Sequence, residues 1–206
     1  SAALGTRPVE HRLPGLGDLG DRLAVRAREA GLTVGTLMQT AWGLALAAEL
    51  GRDQVLLGTI VSGRSPELEG AGEIIGMTLG AIPIRVDAAP GDTVLAVAER
   101  VQTAQTAVMD DHWVGLPAIA GAVGLGEMFD SLLVFENHAT EAGPLQQAAT
   151  AAGLHLDAVA PRDSTHYPLT VQVLPGAQLQ IRLHRLPGAV SEDRLERLGR
   201  TFTAAL

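Results

Sequence analysis

The sequence predicts an α/β layered sandwich in which helices pack on a mixed β-sheet. Helical patterns open and close the chain, with strand patterns between them, which is the order expected of layered α/β domains. Short turns join some of the strands, so part of the sheet is expected to be antiparallel. No GxGxxG follows a strand and no GK[ST] loop is present, so a doubly wound nucleotide-binding fold is not expected.

Composition narrows the class of protein. The 206 residues fit one domain, or one lobe of a larger one, and 47% of them are hydrophobic. A net charge of −8 with scattered basic residues argues against a nucleic-acid partner. The chain has no cysteine, which excludes thiolate chemistry, and no apolar run of the roughly 18 residues that a membrane span needs. The first residues lack the features of a signal peptide, so we expect a cytoplasmic protein.

The first half of the chain reads as two helices, two strands and a third helix. Apolar spacing over 16–30 predicts a helix that ends at Gly31, and Thr33 caps a second helix that runs to Leu50 and closes at Gly51. The apolar run 54–61 predicts a buried strand. LGAIPIRV predicts another strand with Pro83 at a bulge or near an edge, and Asp92 or Thr93 caps a helix to about Met109.

The second half carries most of the predicted strands. A short helix at 116–124 precedes a strand at 128–137, and the small, polar segment 138–153 follows as an excursion. LHLDAVA, YPLTVQVL and AQLQIRLHR read as three strands, the last two joined by a Pro-Gly turn at 175–176. Ser191 caps the closing helix, with acidic residues in its first turn.

Asp163, Ser164 and His166 lie within four residues and raise the possibility of a nucleophile, a base and an orienting acid. The members of such a triad usually come from separate parts of a chain, so a turn or cap is the better reading. Histidines with HExxH spacing are absent, and Ile60 stands where GxSxG needs its first glycine. The residues alone therefore indicate an α/β lobe with no recognisable catalytic or metal site.

Four stretches, in order, resemble the motifs of nonribosomal peptide synthetase condensation domains. VLLGTIVSGRSPELEG resembles "GTPVSGRP", and EIIGMTLGAIPIRV resembles "xxVGxFxNTLPxRV". DHWVGLPAIAGAVGLGEMFDSLLVFENH resembles the acceptor-side helix and the "FDTLLVFEN" strand, and RDSTHYPLTVQV resembles "RDxSxxPL". The resemblance covers about residues 10–205 and implies that 163–166 belong to a structural motif.

The resemblance implies one lobe of a two-lobed enzyme whose lobes fold like chloramphenicol acetyltransferase. Such enzymes join an acyl or peptidyl group on one carrier protein to an aminoacyl group on the next. Both groups travel on phosphopantetheine arms that the peptidyl carrier proteins supply, so no cofactor of this chain's own is implied. Adjacent synthetase domains are the other expected partners.

The family's catalytic HHxxxDG motif lies on its first lobe and is absent from this chain. No histidine has an acid four residues later, since those positions hold Gly15, Leu116, Ala142, Val159, Thr170 and Gly188. We therefore expect residues 1–206 to be the C-terminal, acceptor-side lobe, without catalytic residues and inactive in the absence of the N-terminal lobe.

The resemblance also suggests site residues. Ser62, Arg64, Thr78 and Gly80 would line the substrate tunnel, although Ser62 and Gly63 are equally compatible with a simple turn at the strand end. Arg85, Asn137, Arg162 and Asp163 would be structural, with an ion pair between Arg85 and Asp163. Where the family has an aromatic residue and an asparagine, this chain has Thr78 and Gly80, which predicts a wider tunnel or an unusual member.

Two other functions compete with amide formation. A catalytically silent condensation-like domain could recruit carrier proteins or tailoring enzymes, and the change at Gly80 favours that alternative. An epimerisation domain is the third reading, and FDSLLVFEN argues against it, because the corresponding strand of such domains reads "FNYLGxF".

Overall fold

The computed structural model describes residues 7–63, 70, 73–136, 149–154, 165–175 and 178–206. Its described strands form one six-stranded sheet of order β1-β6-β5-β4-β2-β3. The pairs β2–β4 and β4–β5 are parallel, and the pairs β1–β6, β5–β6 and β2–β3 are antiparallel. The sheet is therefore mixed, and the predicted α/β sandwich is confirmed.

Two helices follow the edge strand β1 (Val9–Arg12). Helix α1 (Leu19–Glu29) is followed by Gly31 with a φ of 68°, and α2 (Val34–Leu50) is closed by Gly51 with a φ of 61°. A positive φ suits glycine at the end of a helix, because glycine has no Cβ. The Thr33 hydroxyl accepts a hydrogen bond from the backbone N–H of Thr36, so the predicted cap is confirmed.

Strands β2 (Gln54–Ser62) and β3 (Leu79–Asp87) form the longest hairpin of the sheet. Strand β3 lies at the edge, where Pro83 costs the sheet no internal hydrogen bond, so its predicted edge position is confirmed. Helix α3 (Val94–Ala107) begins at Thr93, whose hydroxyl accepts from the backbone N–H of Ala96. A 3₁₀ turn (Met109–Asp111) leads to α4 (Leu116–Val123).

The remaining elements are β4 (Ser131–Phe135), β5 (Leu169–Leu174), β6 (Gln180–Arg185) and α5 (Glu192–Ala205). Strand β4 is shorter than the predicted 128–137, and Ser191 caps α5 as expected. All but the first residue of the predicted strand LHLDAVA, most of the excursion 138–153 and Gly176 of the predicted turn lie outside the described residues. No helix in the described part of the chain is long and apolar enough to cross a membrane.

The helices α1, α2, α3 and α5 share one core with one face of the sheet, which we call the helix face. Alternate residues of the strands point to this face, as the period of a strand requires. Val55 and Leu57 of β2 meet Val86 and Ile84 of β3 in register, and all four are buried in that core. Trp42 of α2 is fully buried there, and its indole N–H donates to the Ser131 hydroxyl at 2.8 Å.

Candidate functional site

The predicted tunnel residues Ser62 and Thr78 lie where β2 ends and β3 begins. Ser62 pairs with Leu79 in the sheet, and the next backbone N–H, that of Gly63, donates to the Thr78 carbonyl at 2.8 Å. A Cβ on Gly63 would overlap the Thr78 carbonyl oxygen. The Ser-Gly pair of the VSGR stretch therefore has a structural reason, because only glycine lets the two backbones approach so closely.

Gly80 lies beside this strand end but on the other face. It pairs with Val61, whose side chain packs against the helix-face core, while the next pair along, Ser62 and Leu79, points away from that face. A Cβ on Gly80 would lie 3.6 Å from the carbonyl oxygen of His112. The side chains of Ser62 and of any residue at position 80 thus point to opposite faces of the sheet, and the tunnel roles of both residues stay predictions.

An exposed apolar segment adjoins the same strand end. In residues 73–79 the side chain of Ile75 is fully exposed, Met77 is 90% exposed and Leu79 is 59% exposed. Trp113, which follows His112, is 79% exposed. Contiguous apolar exposure of this kind marks an interaction surface. The sequence alone does not reveal it, because the apolar residues of IIGMTL look like part of a buried strand.

Arg85 pairs with a residue of its own strand. Its guanidinium contacts the Asp87 carboxylate, with nitrogen to oxygen distances of 2.6 and 2.8 Å. Asp163, the partner expected from the motifs, lies outside the described residues, as do Arg64, Asn137 and Arg162. The ion pair between Arg85 and Asp163 and the roles of these residues stay predictions.

His166 belongs to an aromatic stack. Its ring centroid is 4.2 Å from that of Tyr167, which in turn stacks on Phe129 at 5.2 Å. Burial raises the pKa of the Tyr167 phenol above its ordinary value, and the charge of Glu127 adds to the shift. Asp163 and Ser164 lie outside the described residues, so the structure neither assembles nor tests the triad.

A polar cluster that sequence reasoning missed lies on the other face of the sheet, which we call the open face. Glu136 follows β4, Gln172 lies in β5 and His184 in β6. The Gln172 amide nitrogen donates to the Glu136 carboxylate, and the Gln172 carbonyl oxygen lies 3.1 Å from His184 Nε2. The sequence pattern that could have indicated this cluster is the alternation of polar and buried residues in LTVQVL and QIRLHR.

The other histidines show no comparable arrangement in the described part of the chain. His11 lies in the edge strand β1. The Nε2 atom of His112 is buried and has no hydrogen-bond partner among the described residues. No group of three His, Cys, Asp or Glu side chains comes together in these residues in a way that could hold a metal ion.

Comparison with known proteins identifies the family. The condensation-domain family model matches residues 16–206. Vanchrobactin synthetase VabF of Vibrio anguillarum is 39% identical over 161 residues, which are 78% of this chain and 6% of the synthetase. Tyrocidine synthase 2 of Brevibacillus parabrevis is 29% identical over 194 residues, 93% of this chain and 5% of that protein.

Solved structures agree on the fold. The X-domain from teicoplanin biosynthesis superposes with a TM-score of 0.75 at 19% identity over 97% of this chain. The first condensation domain of the CDA synthetase superposes with a TM-score of 0.70 at 16% identity, also over 97% of this chain. The chain spans 46% and 44% of these two structures.

The sheet order, the helix layer and the matched motifs thus define an α/β fold of the condensation-domain type. The chain belongs to the condensation-domain family of nonribosomal peptide synthetases. The resemblance read from the four sequence motifs is confirmed at this level.

Proposed function

We propose that this chain is the C-terminal, acceptor-side lobe of a condensation domain that joins two carrier-bound thioesters through an amide bond. The carrying observation is the family match over 16–206, together with the absence of the family's histidine motif from the sequence. That the chain spans slightly under half of the similar solved structures supports a lobe rather than a whole domain.

In amide formation the main role of this lobe would be to position the two reacting groups. The free amine of the aminoacyl group attacks the carbonyl carbon of the other thioester, and the new C–N bond forms as the C–S bond breaks. The amine loses one proton, and the departing sulfur of the phosphopantetheine arm leaves as a thiol. Holding the amine near the carbonyl supplies much of the acceleration in such a step.

The surface at the end of β2 is suited to that placement. Ser62 is exposed at the strand end, and the exposed Ile75 and Met77 lie on the segment that enters β3. An N-terminal lobe docked on this apolar segment would remove it from water, and Ser62 would then border the space between the lobes. Amphipathic surroundings of this kind suit the apolar and amide parts of a phosphopantetheine arm.

The test is amide formation between two loaded carrier proteins, followed by mass spectrometry. We expect no product with the 206 residues alone, and product when the chain is joined to an N-terminal lobe that carries an intact HHxxxDG. Replacing the second histidine of that motif by alanine in the joined domain is the matched control. Turnover by this chain alone would contradict the assignment of roles.

A second candidate is a silent domain that recruits other proteins. It is favoured by the similarity to the teicoplanin X-domain, one structure of which is a complex with OxyB. Gly80 stands where the family motif has an asparagine, and this difference also favours a silent domain. A joined domain with an intact histidine motif that binds a carrier protein or tailoring enzyme, yet forms no amide, would support this candidate over the first.

A further inference from the structure

A small cavity opens on the open face of the sheet beside the Glu136, Gln172 and His184 cluster. Its volume is about 40 Å³, and its walls include Pro8, Val134 and Tyr167. A single water needs about 10–15 Å³ of such space, so the cavity admits more than one water. Each of the three polar residues comes from a different strand or strand end, so the rigid sheet holds them in place.

The hydrogen bonds fix how these groups face the cavity. A carboxylate only accepts, so Glu136 requires the Gln172 amide to present its nitrogen. The Gln172 carbonyl oxygen therefore faces His184, and His184 Nε2 must carry a hydrogen to donate to it. Thr170 lies opposite His184 in the sheet, and its hydroxyl and that of Thr165 hydrogen-bond each other at 2.6 Å.

The Glu136 carboxylate can accept further hydrogen bonds, and this favours a cation with N–H groups as the ligand of the cavity. Glu136 contributes a carboxylate, whose two oxygens accept more hydrogen bonds than the single one from Gln172. Among the described residues that line the cavity there is no arginine, and Arg182, which pairs with Gln172 in the sheet, donates a hydrogen bond to Gln180. The apolar walls suit methylene groups, so the complementary ligand is an ammonium group on a short aliphatic chain.

We propose that this cavity binds the terminal ammonium of an aminoalkyl side chain, with Glu136 as the counter-ion and Gln172 and His184 as its orienting partners. This inference rests on the proposed function where it concerns substrates: the domain would prefer aminoacyl or peptidyl groups with a basic side chain. The reacting amine itself must be neutral to attack. A carboxylate stabilises the charged form, so the site suits a side chain and not the nucleophile.

The binding test uses n-butylammonium as a probe and 1-butanol as its neutral counterpart. Side-chain NMR signals of Gln172 and His184 report on the cavity directly. We expect butylammonium to shift both signals with saturation, and butanol to leave them unchanged. Equal responses to the two probes, or none to butylammonium, would overturn the site.

The variant Glu136→Gln keeps the shape of the side chain and removes its charge. It should weaken butylammonium binding about tenfold, the loss expected for one charge-assisted hydrogen bond. Glu99→Gln, an exposed glutamate on α3 in the helix layer, is the matched control and should bind as the unmodified chain does. Undiminished binding by a folded Glu136→Gln variant would overturn the role of the carboxylate.

Substrate preference separates this inference from the proposed function. In the joined domain, a lysyl acceptor or donor should react faster than its norleucyl counterpart, and Glu136→Gln should remove the difference. Saturable probe binding without amide formation would contradict the proposed function alone. Amide formation with no probe binding and no lysyl preference would overturn the cavity site alone.

Discussion

At the scale of single residues, two glycines at the same strand end have opposite requirements. Gly63 is in contact with the Thr78 carbonyl, and a Cβ there would overlap it. Gly80 has a negative φ and only ordinary contacts within reach, with Val61 and with the His112 carbonyl. The first position therefore demands glycine, whereas the second accepts a side chain on the helix face.

Gly63→Ala should destabilise the chain by about 1–3 kcal/mol, because the backbone must move to relieve the overlap. Gly80→Ala is the matched control, and we expect its effect to lie within about 0.5 kcal/mol or to be slightly stabilising, since the unfolded chain loses freedom. Urea unfolding of both variants measures the difference. Equal stability of the two variants would show that the chain accommodates a Cβ at position 63 without a cost in the free energy of unfolding.

The features that could be predicted from the sequence are those that depend on neighbouring residues in the chain. The caps Thr33, Thr93 and Ser191 act within one turn of backbone, so their residue types sufficed. The Glu136, Gln172 and His184 cluster could not be predicted in the same way. It depends on β4 lying beside β5 and β5 beside β6, a strand order that no stretch of sequence encodes locally.

At the scale of elements, α2 and α5 are joined at two points. Trp42 and Phe202 pack edge to face with ring centroids 5.3 Å apart in the buried core. Near the end of α2, Glu49 contacts Arg197 at 3.1 Å and Arg194 at 3.0 Å. The hydrogen bond from Arg197 and the charges of both arginines lower the pKa of Glu49 below its ordinary value.

A carboxyl group with a lowered pKa stabilises the folded state above the pKa of its unfolded form, and that stability is lost as the pH falls through the folded value. Glu49→Gln should therefore lower the Tm at pH 7 by about 2–4 °C. As the pH falls through the lowered pKa of Glu49, the two proteins should converge, because Glu49 itself becomes neutral. Thermal unfolding between pH 7 and pH 3 measures this.

Glu196→Gln is the control for that experiment. Its ion pair with Arg200 lies within one helix, and both side chains are largely exposed. We expect the control to change the Tm little at any pH in the series. A Glu49→Gln variant that differs from the unmodified chain equally at pH 7 and pH 3 would contradict the electrostatic explanation and leave only a packing effect.

At the scale of the whole molecule, the two faces of the sheet are unequal. The helix face is closed by four helices, whereas the open face carries polar side chains and a cavity among the described residues. The apolar segment 73–79 extends from the strand end that Ser62 shares. Contiguous apolar exposure of this kind marks an interaction surface, and the partner that we propose for it is the N-terminal lobe of a condensation domain.

The double change Ile75→Ser and Met77→Ser tests that partner. Burying a large apolar side chain contributes about 1.5–3 kcal/mol, so its loss at two positions should weaken association with a separately produced N-terminal lobe about a hundredfold or more. The free chain should unfold at the same urea concentration as before, because Ile75 and Met77 are almost fully exposed in it.

Val25→Ser is the control, since Val25 is 47% exposed on α1 in the helix layer. Isothermal titration of the two lobes measures the affinities. Association that survives the double change, or falls as far in Val25→Ser, would show that segment 73–79 does not form the contact between the lobes.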